Sequence, residues 1–112
     1  MPKFLILYNS NVSADELMAN TTAEEMKASM EEWIAWAEEA KKTAGFEFGM
    51  PLKGVNKVTN DGVNESVSNA SGYSIMEGDT KEAVTTLLAS HPHLKRSGSS
   101  IDVLEMLPMP GM

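Results

Sequence analysis

The chain has 112 residues, which is room for a single domain spanning residues 1–112 around one hydrophobic core and not for two. At 42% hydrophobic and 22% charged it holds enough apolar surface to offset the entropy of ordering, which excludes wholesale disorder. Nine Lys+Arg against sixteen Asp+Glu leave a net charge of −7, the wrong sign for a protein that lives on nucleic-acid phosphates or anionic lipid.

The longest apolar run, residues 4–8, falls far short of the roughly 20 residues of a spanning helix, and no charged-then-apolar leader precedes a cleavage site. Zero Cys removes disulfides, thiolate metal sites and cysteine nucleophiles together. A soluble, cytoplasmic protein with no membrane and no nucleic-acid partner is expected.

Residues 3–9 are rich in β-formers without polar alternation, which predicts a central strand covered on both faces. A polar connector follows, with a short helical turn at residues 15–18. Thr22 and Glu25 then have the spacing of a capping box. From there to about Ala44, Met26, Met30, Trp33, Ala37, Ala40 and Ala44 recur at three- and four-residue intervals, predicting an amphipathic helix with that stripe inward and Gly45 at its end. Residues 46–52 carry Gly and Pro and read as a turn. Residues 54–59 read as a strand, Asn60-Asp61-Gly62 as a reverse turn, and residues 63–67 as a weak strand. Another strand is expected at residues 72–77. Asp79 caps a second helix that buries Ala83, Val84, Leu87 and Leu88 and stops at His91-Pro92. After a polar loop, residues 101–107 form the last strand, and Pro108, Pro110 and Gly111 end it.

Strand, helix, strand (or hairpin), strand, helix, strand is the βαββαβ order of a ferredoxin-like α+β domain with an antiparallel sheet. Both helices on one face leave the other face bare, and the alternating residues of the first strand make that face apolar whichever set points outward. Large exposed apolar patches are uncommon on monomers, so a homodimer is expected, sheet against sheet.

The stretch from Gly72 to Ala83, then His91-Pro-His-Leu94, then Ile101 to Met109 resembles the second half of YCII-related (DGPF-domain) proteins. Residues 3–8, the helix with Trp33 and Trp36, and Gly49-Met-Pro-Leu52 resemble the first half, so the likeness runs over nearly the whole chain. The resemblance implies a dimeric α+β barrel of two ferredoxin-like protomers. Some members of that family use a His–Asp pair with the His in the first helix; the first helix here contains no His, so that pair does not transfer. The Asp-Gly-Pro-Phe signature of another branch is missing, with Asp61-Gly-Val-Asn64 only a degenerate counterpart.

His91 is the one titratable side chain singled out for chemistry. It projects from the last turn of the second helix on the Val84 and Leu88 side, where the helix C-terminus favours a positive imidazolium. It serves either as an acid/base or ligand-binding group, or as a plain helix cap that bonds a carbonyl. His91 and His93 form a His-x-His pair, but two ligands are too few for a metal site, and none is expected. Tyr8, Trp36 and Tyr73 are the candidate pocket walls, with Trp33 in the core. The acidic helix face of Glu24, Glu31, Glu32, Glu38 and Glu39 reads as solvated. No phosphate-loop, dinucleotide or nucleophile-elbow pattern occurs, so no cofactor is implied.

Two functions remain open on these residues. One is a small dimeric enzyme acting on a small apolar or aromatic metabolite with His91 as acid/base. The other is a non-catalytic ligand-binding or protein-interaction module.

Overall fold

The computed structural model describes residues 2–66 and 68–111. Strand β1 (Lys3–Asn9) leads into a short helix α1 (Ala14–Ala19) and the long helix α2 (Ala23–Ala40). Strand β2 (Gly45–Pro51) follows, then the hairpin β3 (Asn56–Thr59) and β4 (Gly62–Glu65), strand β5 (Ala70–Glu77), helix α3 (Lys81–Leu88), a 3₁₀ turn at Pro92–Lys95 and strand β6 (Ser100–Glu105). The main sheet runs β2-β5-β1-β6 with every neighbouring pair antiparallel, a mixed α+β arrangement compatible with a ferredoxin-like fold.

The central position of β1 agrees with its unbroken apolar run, because both of its edges are hydrogen-bonded and both of its faces need apolar side chains. Phe4, Ile6 and Tyr8 point into the core with Met76, Val84, Leu88 and Ala44. Burying an aliphatic or aromatic side chain of this size contributes roughly 1.5–3 kcal/mol. Register carries the pattern across the sheet. Ile6 lies opposite Ser74 and Val103 on the helix side, while Leu5 lies opposite Ile75 and Leu104 on the other. That second face, with Leu7 and Tyr73 beside those three, has no helix of the described residues over it.

Several boundaries differ from the sequence expectation, each for a physical reason. The second strand of the main sheet is β2, not residues 54–59. Gly49 allows the close approach, since a Cβ there would fall 2.4 Å from the Tyr73 ring and carbonyl, and an edge strand tolerates the terminal Pro51. Residues 56–65 instead make a separate two-stranded hairpin around Asn60-Asp61, with Gly62 at φ 137°. Val67, the end of the expected weak strand, lies outside the described residues.

Helix α2 begins as expected. The Glu25 N–H donates to Thr22 Oγ1 at 3.1 Å, and the Thr22 N–H donates to Glu25 Oε1 at 3.2 Å. It ends at Ala40, where the Lys42 and Thr43 amides switch to carbonyls three residues back, so residues 41–44 form a turn and Gly45 opens β2. Only Ala37 and Ala40 of the helix are buried; Met26 and Met30, expected inward, are exposed, Met30 at 56%. Helix α3 is capped by Thr80, whose Oγ1 accepts from the Ala83 N–H, rather than by Asp79.

Candidate functional site

Three elements and one connecting residue bring aromatic side chains together. Tyr8 comes from the end of β1, Trp33 and Trp36 from α2, His91 from the residue before the 3₁₀ turn, and His93 from the turn itself. The His91 ring centroid lies 4.4 Å from Trp33, 4.4 Å from Trp36 and 4.9 Å from Tyr8. Trp33 stands perpendicular to the imidazole, at 89°. Trp33 and Trp36 reach the same ring because a three-residue step on a helix turns the direction by only about 60°.

Local chemistry fixes His91. Pro92 presets the backbone for the 3₁₀ turn and lacks an N–H, and the first free amide, that of His93, donates to His91 Nδ1 at 3.0 Å. Nδ1 is therefore an acceptor, and the neutral ring carries its proton on Nε2. His91 is 2% exposed, and Nε2 has no hydrogen-bond partner among the described residues. Aromatic faces are weak acceptors, and a buried donor without a proper partner costs about 1–3 kcal/mol.

Burial, with the neighbouring His93 adding to it, pushes the His91 pKa down to about 4. This corrects the imidazolium expected from the helix end. A helix C-terminus favours a positive charge by at most ~2 kcal/mol, and the shift from the ordinary value of 6.5 corresponds to roughly 3 kcal/mol in the opposite sense. Desolvation wins.

The neighbours are held in different ways. The Tyr8 hydroxyl pairs with Ser74 Oγ at 2.7 Å in the core, and burial raises its pKa to about 12 against the lowering effect of that bond. The Trp36 indole N–H donates to the Leu87 carbonyl at 3.2 Å, tying α2 to α3, and its ring meets Phe46 at 5.3 Å. His93 Nε2 bonds the Asn9 carbonyl at 2.8 Å. The Lys95 ammonium reaches Glu32 at 2.8 Å, one residue from Trp33.

Of the residues expected at a site, His91, Tyr8 and Trp36 are brought together and Tyr73 is not. Tyr73 pairs with Leu7 on the opposite face of the sheet, one parity step from Ser74. Trp33, read as core, is half-buried and forms one wall of the cluster. His93, considered only as a metal partner, acts through its backbone N–H on His91. The signal for that role was in the sequence as His-Pro-His, a side-chain acceptor followed by a Pro-started turn. Among the described residues no group of three or more His, Cys, Asp or Glu converges.

Two clefts lie elsewhere. One of about 230 Å³ is polar, lined by Ser10, Asn11, Ser13, Glu16, Ser68 and Asn69 among others. Another of about 260 Å³ runs along the β2 edge beside Phe46, Glu47, Ile75 and Glu77. No helix of the described residues is long and apolar enough to cross a membrane. Comparison with protein-family models and with curated proteins finds no match for this chain.

Proposed function

We propose that the chain is a homodimeric, non-catalytic binding module of the YCII-related kind, pairing through its open sheet face as an α+β barrel, with His91 as a fixed neutral donor. The observation that carries this reading is the state of His91. It is enclosed, its Nδ1 is committed to the His93 backbone, and its pKa sits near 4. An acid/base group working near neutrality needs a pKa close to the working pH, and His91 in this setting lacks one. The open face with Leu5, Leu7, Tyr73, Ile75 and Leu104 supports the pairing.

The catalytic reading keeps one observation in its favour, the unpartnered Nε2, and it requires the His91 pKa to rise from about 4 towards neutrality. Following the His91 ring carbons and nitrogens by NMR across pH separates the two. The binding reading expects the ring to stay neutral down to about pH 5. A ring that titrates between pH 6 and 8 would restore acid/base catalysis.

A further inference from the structure

The binding reading above leaves open what His91 would hold and how anything would reach it. We propose that the protein takes up a neutral, planar aromatic molecule bearing a carbonyl oxygen, which displaces the Trp33 indole and accepts a hydrogen bond from His91 Nε2.

The first ground is the donor itself. Because the His93 amide occupies Nδ1, the proton lies on Nε2, and that N–H is buried without an acceptor among the described residues. A buried polar group left unpaired calls for an explanation, and an acceptor supplied by a ligand provides one. The second ground is shape. Tyr8, Trp33 and Trp36 surround the imidazole with ring centroids within 4.9 Å, surroundings that favour a flat, apolar ring system.

The third ground singles out Trp33 as the gate. Tyr8 sits on the central strand and is tied to Ser74, and Trp36 is tied to the Leu87 carbonyl. The Trp33 indole makes no hydrogen bond among the described residues. It is half-exposed, and the part of α2 before it contributes no buried residue. Swinging Trp33 outward therefore breaks no polar contact and opens a space the size of the departing indole. The fourth ground is charge. His91 is neutral, the Lys95 ammonium near Trp33 is already paired with Glu32 at 2.8 Å, and the chain carries −7, so a neutral ligand is favoured over an anionic one.

The test uses the full chain and three probes: coumarin, which is flat and neutral with a lactone carbonyl; naphthalene, of similar shape without an acceptor; and coumarin-3-carboxylate, an anion. Trp33 and Trp36 are the two tryptophans of the sequence, so their indole N–H signals in proton–nitrogen NMR spectra report directly on the site. Coumarin is expected to shift both and to move the His91 Nε2 signal. It should bind roughly fivefold tighter than naphthalene, as one net hydrogen bond predicts, and tighter than the carboxylate. Trp33→Ala should bind coumarin more tightly than the natural chain, and His91→Phe should erase its advantage over naphthalene. Should His91→Phe fail to fold, the nitrogen shift of His91 in the natural chain decides. An unmoved Nε2 signal, a coumarin preference that survives His91→Phe, or silent indole signals in both the natural chain and Trp33→Ala would overturn the proposal. Each result is independent of the His91 titration, so failure of the ligand assignment is distinguishable from failure of the non-catalytic reading.

Discussion

A histidine after a helix ordinarily protonates more easily, and the reversal at His91 has a consequence for stability. Its folded pKa of about 4 lies below the ordinary 6.5, so the unfolded chain binds the proton more readily over that interval. The stabilisation is complete above about pH 6.5 and is lost as pH falls towards 4, by roughly 3 kcal/mol in all. Urea unfolding of the natural chain and of His91→Gln at pH 7, 5 and 4 isolates this contribution, because the carboxylates are common to both. The difference between them should shrink or invert as pH falls, and a constant difference would contradict the burial argument. The Tyr8–Ser74 pair makes a second prediction. Tyr8→Phe strands the buried Ser74 hydroxyl and should cost about 1–2 kcal/mol, while adding Ser74→Ala should recover part of that loss.

Helix α2 is anchored at one end only, so its stability depends on local devices more than a fully packed helix would. Thr22→Ala removes the Oγ1 acceptor of the Glu25 N–H while leaving the backbone N–H that donates to Glu25 Oε1, and should lower unfolding free energy by about 1 kcal/mol in thermal or denaturant unfolding. The β3–β4 hairpin lies at the other extreme. All eight of its strand residues are exposed, Val58 at 74%, and a two-stranded hairpin alone is marginal in water. Amide exchange should therefore be fastest there among the strands and slowest in β1 and β5; equal protection would mean the hairpin is packed against something. The same contrast explains what could be read from sequence. The strand β1 and helix α2 are signalled by local pattern and caps. The Gly- and Pro-bearing β2 is a strand because β5 pairs with it, a cause more than 20 residues away in the chain. At the site, His91, Tyr8 and Trp36 were visible as chemistry-bearing residues near element ends. The separation of Tyr73 from them depends on sheet register, and the unpaired Nε2 depends on the turn that captures Nδ1. Neither is a property of a short window.

The molecule as a whole is thin. Its extents are 48 × 40 × 21 Å, and the smallest is little more than a sheet with one layer of helices, since packed layers stand about 10 Å apart. Its radius of gyration of 15.6 Å exceeds the roughly 13 Å expected for a compact chain of this length. A two-layer domain with an open sheet places Leu5 between Ile75 and Leu104 on the face opposite the buried core. Pairing with a second copy would bury that row twice, once from each side, which is how a symmetric interface gains from a single apolar stripe. The same symmetry makes it sensitive to one charge. In the proposed pair Leu5→Asp would bring two carboxylates into the apolar centre, at a cost of ~3 kcal/mol or more, equivalent to over a hundredfold in the dissociation constant. Light scattering at micromolar concentration should give twice the 12.2 kDa chain mass for the natural protein and for Thr86→Asp, an exposed position on α3. Leu5→Asp should give the single-chain mass with the helical content of the folded protein retained. A natural chain that scatters as one copy, or a Leu5→Asp variant that still pairs, would leave the open face as an ordinary surface and remove the barrel arrangement.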